Sequence, residues 1–474
     1  MDPDPVATPK CATVPLPQST PVKIGTSTTC PFTTNQKFRI PSCTAMAEEI
    51  AKFIVGPMPA QEFLDDFFPT KKLRGLSQVP LFMPGCYDDT LRAKYEVDAY
   101  EPFVSASKKP SFTYFNAIPI VFKIAATAQF LPDLRLVDTS SNPDGNPRSS
   151  LPFKIKPDVT IYPGGTNEEK TDSSISEIFT EFKWNIQDDP FCDVHNVGSS
   201  ESDSRQSFLH DTQAGKDTLG QITSYAAAQL GAQFRTHAYS VFILRDTARI
   251  LQWDRSGTIV TEAIKYNEDC FLAEFFRRYS KASPAMRGKD MSASLPTALQ
   301  AQSARKALEL DPSIPLVKLS IPSGAGNTLH YFVVPAPSAT LYTPPGRATR
   351  GFKAYDISHR NVVFLKDSWR IDLPDIHKEG SVYKILNEAE VANVPQCIVS
   401  GDILIDDYHA TKTNFYTEKP WACRSGAQFI PHQHCRLVLD VLGRVLHEYS
   451  SSYEMVSAVR NALIGEWYNS ARSR

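Results

Sequence analysis

The sequence predicts a mixed fold class, an α/β domain followed by an α+β domain that consists mainly of short strands. The chain has 474 residues, which is more than one ordinary hydrophobic core accommodates. Its apolar periodicity changes from helices and longer strands before residue 282 to short alternating strands after residue 313. The segment 283–312 carries three prolines around one helical pattern, which is typical of a linker. We therefore expect domains at 44–282 and 313–474.

Composition narrows the class of protein. Hydrophobic residues make up 42% of the chain and charged residues 22%, as in soluble globular proteins. A formal net charge of −2 does not support nucleic acid as a partner, although a local basic groove would allow it. The nine cysteines are odd in number and form no CxxC pair, which indicates an intracellular protein, cytoplasmic or nuclear. No apolar run approaches eighteen residues, so we expect no membrane segment.

The first domain is expected to follow a disordered tail. Residues 1–43 carry eight prolines among Thr, Ser and Lys, with too little apolar surface to repay ordering. The later sequence alternates helical and strand patterns, with an apolar stretch at 112–130, a polar loop at 138–150 and a polar insertion at 185–216. We expect helices at 44–55, 61–68, 98–106, 217–234 and 268–279, and strands at 153–162, 177–184, 238–245 and 248–254.

Two neighbouring strands of this domain carry acidic and basic residues in a suggestive order. Asp158 lies on one strand, and 22 residues separate it from Glu181, which precedes Lys183 on the next strand. Alternation along a strand places Glu181 and Lys183 on one face, so the three side chains are expected to converge. Two carboxylates can hold Mg²⁺ while a Lys stabilises the attacking hydroxide. The arrangement resembles the PD-(D/E)xK core of restriction-endonuclease-like folds.

The following helix adds to that resemblance. Gln221 and Tyr225 are four residues apart and therefore share one helical face, as in the QxxxY element of recombination-type nucleases. Glu101, on a helix before the core strands, is a candidate third metal ligand. A plain structural reading stays open, in which Glu181 and Lys183 form a solvated ion pair while Gln221 and Tyr225 pack the helix on the sheet.

In the second domain, short strands surround a lysine and a helical glutamate. The strand beginning at Asn361 ends in Lys366, and after eleven intervening residues Lys378 and Glu379 open an amphipathic helix. Protein kinases use this order, in which the strand Lys neutralises nucleotide phosphates and the helix Glu holds it by an ion pair. A Lys at the end of a strand is otherwise commonly a surface residue. We expect strands at 316–321, 328–334, 352–356 and 361–367, and helices at 298–310, 377–390 and 452–468.

Two flanking segments suit a nucleotide site. Gly346 opens a Gly-containing turn between two strands, where a phosphate-covering loop belongs, although the full GxGxxGxV spacing is missing. Residues 436–443 form a strand that runs through Asp440 and Leu442 into a Gly, which suits a hinge whose backbone faces adenine.

From here the sequence resembles a known family, the fungal-type protein kinases. The resemblance extends over most of residues 45–474, because the order and spacing of its segments hold throughout. The segments that carry it are 220–226 (GQITSYA), 237–255, 346–350 (GRATR), 365–370 (LKDSWR), 379–383 (EGSVY), 401–402 (GD), 436–443 (RLVLDVLG) and 451–454 (SSYE).

The resemblance implies the amino-terminal lobe of a protein kinase, mainly β sheet with an αC-type helix, and the hinge. It implies ATP binding by Gly346, Lys366, Glu379, Asp440 and Leu442, and an unidentified protein as substrate or partner. The sequence departs from the family because no His-Arg-Asp loop or metal-binding motif follows the last helix. We therefore expect a truncated kinase without transfer activity. A Mg²⁺-dependent nuclease and a non-catalytic binding module are the alternatives.

One further cluster is weak as a sequence signal. His432, His434 and Cys435 are close in sequence, but no second ligand pair has the spacing of a zinc site. The pattern favours a surface loop that leads into a strand.

Overall fold

The computed structural model contains two seven-stranded sheets with helices packed on them. It describes residues 39–73, 75, 84–108, 134–145, 151, 153–193, 208–323, 328–337, 343–423, 428–443 and 448–472. The predicted tail up to residue 38 and the apolar stretch 112–130 lie outside these residues. The mixed α/β class that the sequence predicts is confirmed.

The first part of the chain, up to residue 281, forms six helices and seven strands among the described residues. The helices are α1 Arg39–Ile50, α2 Ala60–Phe67, α3 Asp88–Leu91, α4 Tyr100–Lys108, α5 Gln213–Ala232 and α6 Phe271–Lys281. The strands are β1 Ile54–Met58, β2 Leu134–Asp138, β3 Val159–Pro163, β4 Ile178–Lys183, β5 Ala238–Leu244, β6 Thr247–Trp253 and β7 Thr258–Thr261.

The first sheet has the strand order β1-β7-β6-β5-β4-β3-β2. Strands β2, β3 and β4 form an antiparallel meander, and α5 then crosses over so that β5 runs parallel to β4. Thr212 starts α5 by accepting a hydrogen bond from the Gly215 amide at 3.0 Å. Gly220 lets α1 cross α5 closely, because a Cβ there would lie 2.1 Å from the Cys43 carbonyl oxygen.

The second sheet is antiparallel, with the strand order β13-β14-β12-β11-β10-β9-β8. Its strands are β8 Ala293–Ser294, β9 Leu316–Ser323, β10 Thr328–Pro335, β11 Arg350–Asp356, β12 Val362–Ile371, β13 Cys397–Asp402 and β14 His432–Leu439. Its helices are α7 Ala298–Leu308, α8 Glu379–Glu388 and α9 Ser452–Arg472. Helix α8 therefore joins β12 to β13.

Each sheet has its own hydrophobic core. On one face of the first sheet, aromatic rings from α2, β5 and α6 interlock, among them Phe63, Tyr239 and Phe275. In the second sheet, Phe332 and Leu365 belong to a core of mostly branched aliphatic side chains. The buried residues of the first of these cores lie between Val55 and Met286, and those of the second lie between Leu319 and Val438.

A long connection ties the two sheets together. Residues 403–431, which we call the β13–β14 connection, leave the second sheet and pack on the first. The buried carboxylate of Asp254 accepts hydrogen bonds from the Lys412 and Thr413 amides at 2.7 and 2.9 Å. The Tyr416 ring stacks on Phe67 with centroids 5.8 Å apart. The sheets are thus joined by side-chain and backbone contacts as well as by the chain itself.

Several elements differ from the sequence prediction. The helix expected at 44–55 begins at Arg39, inside the predicted tail, and ends at Ile50. After a short 3-10 turn the chain forms β1 beside β7, because a partner strand satisfies its backbone groups. Strands β2, β7, β8 and β13 were not expected, and the strand expected at 153–162 is present only as Val159–Pro163. Segment 283–312 contains β8 and α7, both of which pack on the second sheet.

Two predicted details of the second sheet were wrong. Lys366 does not end its strand, because β12 continues to Ile371 with Asp367 and Trp369 buried on the opposite face. His432 and His434 do not lie in a surface loop but are buried within β14. Among the described helices, none combines the length and the apolar character that crossing a bilayer requires.

Candidate functional site

A large cavity lies on one face of the second sheet, and we call it the second-sheet cleft. It has a volume of about 1570 Å³. Alternation brings one face of each strand into it, namely Lys366, Ser368 and Arg370 of β12 together with residues of β13 and β14. The start of α8 forms a wall, and Phe53 contributes from the first part of the chain.

The structure brings Lys366 and Glu379 together in this cleft. The Lys366 Nζ donates to both carboxylate oxygens of Glu379, at 2.7 and 2.6 Å. The Lys366 side chain is 20% exposed and that of Glu379 is 38% exposed. Arg347, from the turn before β11, approaches the same carboxylate at 3.7 Å. The pair therefore joins a strand to a helix and remains open to solvent.

A close contact fixes the position of α8. A Cβ on Gly380 would lie 1.9 Å from the Ser400 Oγ on β13, so only glycine fits at this point of the helix. The contact seats the first turn of α8 directly on the sheet. Glu379, one residue earlier, is thereby held opposite Lys366.

A second ion pair in the cleft was not predicted. Arg370 donates from Nε and from its terminal nitrogen to the two oxygens of Asp402, each at 2.8 Å. Lys378 adds a third contact at 2.8 Å. Burial acts to raise the pKa of Asp402, but the hydrogen bonds from these cations outweigh it and lower the pKa below its ordinary value. Arg370 could have been found from its period-2 spacing with Lys366 on β12.

The remaining predicted nucleotide contacts lie outside the lining of the cleft. Gly346 has a φ of 108° and donates its amide to the Arg255 carbonyl at 2.9 Å. Asp440 accepts a hydrogen bond from the Gln396 amide at 2.8 Å, which joins the end of β14 to the start of β13. Leu442 follows β14 and is 38% exposed. The structure thus groups Lys366 with Glu379 but does not bring these three residues to the same cavity.

On the first sheet, the structure brings Asp158, Glu181 and Lys183 together, and we call them the first-sheet acidic group. The Phe182 amide donates to the Asp158 carboxylate at 2.8 Å. Lys183 Nζ donates to the Glu181 carboxylate through a short contact. The Glu181 side chain is 1% exposed and that of Lys183 is 18% exposed. The carboxylates of this group are therefore far more buried than that of Glu379, whereas Lys183 is about as exposed as Lys366.

Burial changes the protonation of these carboxyls. Burial, together with the neighbouring charge of Glu181, raises the pKa of Asp158 to about 8. Burial also raises the pKa of Glu181, although the hydrogen bonds from Lys183 and Tyr225 oppose that shift. Asp158 therefore carries a proton at neutral pH in the absence of a bound cation.

The two predicted residues of α5 also reach this group. The Tyr225 hydroxyl lies 2.9 Å from Glu181 Oε2 and 3.0 Å from the Lys156 carbonyl oxygen. Gln221 donates to the Tyr225 hydroxyl at 2.7 Å. Both residues therefore fix the orientation of the Glu181 carboxylate from the helix that covers the sheet.

Glu101 is not part of the first-sheet acidic group. It is exposed in the first turn of α4. The acid beside the group is instead Glu96, which accepts from the Tyr100 hydroxyl at 3.1 Å. Burial raises the pKa of Glu96, and the charges of Lys183 and Asp158 also act on it. The four-residue spacing of Glu96 and Tyr100 was the signal available in the sequence. It was missed because Glu101 was chosen as the acidic residue of this segment.

Comparison with known proteins places most of these elements in one family. The family described as Fungal protein kinase matches residues 183–467, which is more than half of the chain. The match begins at the last residue of β4, so it includes α5 and β5 to β7 as well as the second sheet. No curated protein and no solved structure matches the chain. The chain belongs to the fungal protein kinase family.

Proposed function

We propose that the second-sheet cleft binds the phosphates of ATP through Lys366, with Glu379 holding Lys366 in position. The observation that carries this proposal is the ion pair between β12 and α8, at 2.6 Å, inside the second-sheet cleft. In protein kinases the strand Lys and the helix Glu form such a pair, and the Lys neutralises phosphate charge. The strand order β10-β11-β12-β14-β13, with α8 between β12 and β13, supports the same assignment.

The charges in the cleft favour an anionic ligand. Lys366, Arg347, Arg370 and Lys378 line it, against the two carboxylates of Glu379 and Asp402. Its volume exceeds the 300–1,000 Å³ or so that typical ligand pockets occupy, so its size allows a nucleotide.

The donors in the cleft suit phosphate better than Mg²⁺. Both lining carboxylates are already engaged by cations, Glu379 by Lys366 and Asp402 by Arg370. We therefore assign phosphate contacts to this part of the chain and no Mg²⁺ ligand. In this proposal these residues bind and orient the phosphates of ATP.

A nucleotide titration tests this proposal. ATP at 100 times its dissociation constant should stabilise the native chain by about 2.7 kcal/mol. We expect Lys366→Met to lose most of this stabilisation in a thermal-shift experiment. Lys353→Met is the matched control, because Lys353 is exposed on the neighbouring strand β11. Equal ATP-induced shifts in the two variants would exclude Lys366 as a phosphate contact.

The first-sheet acidic group supports a second candidate, a metal-dependent nuclease activity. The observation that favours it is the convergence of Asp158, which directly precedes β3, with Glu181 and Lys183 of β4, and the hydrogen bond of Tyr225 to Glu181. The order α4-β2-β3-β4-α5-β5 also agrees with the proposed restriction-endonuclease-like core. The closed state of the group limits this candidate, because a metal ion would have to displace Lys183 from a carboxylate that is 1% exposed.

A cleavage assay tests the second candidate. DNA cleavage in Mg²⁺ or Mn²⁺ should disappear in both Asp158→Asn and Lys183→Met. Glu101→Gln should cleave as the native chain does, because Glu101 lies away from the group. Cleavage that persists in Asp158→Asn would assign the activity elsewhere.

A further inference from the structure

The chain just before β11 contacts both sheets. We call residues 343–349 the turn before β11. Within this turn, Arg347 lines the second-sheet cleft. Its neighbour Ala348 packs instead on a core cluster of the first sheet that contains Ile54 and Val260. The turn therefore links the cleft of the second sheet to the core of the first.

Arg255, in the segment that joins β6 to β7, holds this turn by two hydrogen bonds. Its guanidinium donates to the Pro344 carbonyl oxygen at 2.9 Å, and its own carbonyl oxygen accepts from the Gly346 amide at 2.9 Å. Arg255 is 1% exposed, so both contacts lie in the interior. Just after the turn, Arg350 donates to the Gln233 carbonyl oxygen at 3.2 Å. The first part of the chain therefore determines the path of the turn.

The backbone of Arg347 is fixed on both sides. Gly346 has a φ of 108° and Ala348 a φ of 42°, so both neighbours adopt left-handed conformations. An alanine adopts such a conformation only where the surrounding contacts hold it there. The Trp369 amide on β12 donates to the Arg347 carbonyl oxygen at 2.8 Å. These contacts place the Arg347 side chain beside α8 in the second-sheet cleft.

The guanidinium of Arg347 has donors without acceptors. Its Nε is buried and has no hydrogen-bond partner among the described residues. Its terminal nitrogen lies 3.7 Å from Glu379 Oε2, whereas Lys366 donates to that same oxygen at 2.6 Å. A buried donor without an acceptor is unfavourable. The side chain therefore lacks an acceptor that an anionic ligand would supply.

Charge and spacing favour a phosphate at this position. Arg347 and Lys366 are two cations that face the single carboxylate of Glu379, so the group is positive. Because both approach the same oxygen, their nitrogens are at most about 6 Å apart, a gap that one phosphate bridges with donors about 2.8 Å from separate oxygens. The planar fork of an arginine suits that geometry.

We propose that Arg347 is a second phosphate contact of the second-sheet cleft and that Arg255 positions it from the first sheet. The inference rests on the nucleotide binding proposed above for Lys366, and it adds that nucleotide affinity depends on the first part of the chain. Arg255 does not line the cleft, so it acts through the turn before β11 and not by contact with the ligand.

Calorimetric titration of the full chain with ATP and with adenosine tests the contact. Arg347→Met should weaken ATP binding about 10-fold to 100-fold, as expected for the loss of a charged hydrogen bond. Adenosine binding should not change, because adenosine has no phosphate. Arg347→Lys keeps the charge without the planar fork and should lose less. Arg360→Met is the matched control, because Arg360 is exposed beyond the other end of β11.

The positioning role of Arg255 has its own test. Arg255→Met should weaken ATP binding about tenfold, leave adenosine binding unchanged, and add no further loss in a chain that already carries Arg347→Met. If Arg255→Met fails to fold, Gly346→Ala moves the same turn, because alanine is strained at a φ of 108°. An equal loss of ATP and adenosine affinity would mean that Arg255 only maintains the shape of the cleft, which would overturn its positioning role.

The outcomes separate this inference from the proposed function. The Arg347 side chain is 35% exposed, so we expect Arg347→Met to fold. ATP affinity that is unchanged in Arg347→Met but lost in Lys366→Met would overturn the inference and leave the proposed function intact. A native chain that does not bind ATP would overturn both.

Discussion

The molecule contains two Lys–Glu pairs that differ in what surrounds them. Lys183 and Glu181 lie two residues apart on β4, and the Glu181 side chain is 1% exposed. Lys366 and Glu379 come from β12 and α8, and the Glu379 side chain is 38% exposed. The first pair is formed by one strand and sealed by α5, whereas the second depends on how a helix sits on a sheet. A Lys–Glu pair can thus balance charge in the interior in one place and line an open cleft in another.

The two pairs should differ most in how much each contributes to the free energy of unfolding. Lys183→Met leaves a buried carboxylate without its cation, and we expect a loss of about 3 kcal/mol in the free energy of unfolding. Lys366→Met leaves a partly exposed carboxylate, and the expected loss is about 0.5 kcal/mol. Urea unfolding at pH 8 measures both. Similar losses in the two variants would show that burial does not distinguish the pairs.

The pH dependence of stability sharpens the comparison. The pKa of Asp158 is raised to about 8 in the folded chain from an unfolded value of 3.8, so the folded state binds the proton more tightly. Stability from this group is therefore complete below pH 4 and declines as the pH rises to about 8. Asp158→Asn keeps an acceptor for the Phe182 amide and removes the titration.

We expect Asp158→Asn to gain on the order of 2.5 kcal/mol relative to the native chain between pH 5 and pH 7. Chemical denaturation at the two pH values measures the difference. Parallel pH profiles for the variant and the native chain would contradict the burial of an uncompensated charge at this position.

The close contact between Gly380 and Ser400, which positions α8, allows a test of the Lys366–Glu379 pair. Gly380→Ala normally favours a helix by about 1 kcal/mol, but here the new Cβ would meet Ser400 Oγ at 1.9 Å. We expect α8 to shift away from Lys366 and the affinity for ATP to fall about tenfold. Calorimetric titration measures this. Adding Ser400→Gly should restore the affinity, and a failure to do so would mean that the contact does not position the helix.

The smallest effect is expected at the rim of the second-sheet cleft. Lys378 is 57% exposed and contacts Asp402, which Arg370 already holds through two hydrogen bonds. Lys378→Ala should therefore cost only about 0.3 kcal/mol, as measured by urea unfolding. A loss above about 1 kcal/mol would show that this exposed contact acts as a buried one.

Elements with long periodic patterns could be predicted from the sequence. Helix α5 and strands β4 and β5 lie close to their expected bounds, because an Ala- and Leu-rich helix between two apolar runs has few alternatives. Strands β1 and β13 could not, because each is short and interrupted by glycine. Pairing with a strand that is distant in sequence decides their conformation.

The same limit applies to the sites. Glu181 and Lys183 share a strand, so alternation alone places them together. Arg255 and Gly346 are separated by about ninety residues, and no local spacing indicates that they meet. Patterns among residues that are close in sequence therefore predict sites formed by one element. They miss sites that form when distant elements pack together.

Because of the β13–β14 connection, the two sheets must be inherited together. It places the Tyr416 ring on Phe67 and bonds the Lys412 amide to Asp254, then returns to the second sheet as β14, between β13 and β12. A chain cut between residues 283 and 312 would leave the first sheet without its cover and the second with a long loop that has nothing to pack on. Recombination that replaced only one half of the chain would therefore break these contacts. Substitutions in the β13–β14 connection must likewise be matched by substitutions in α2 and β6.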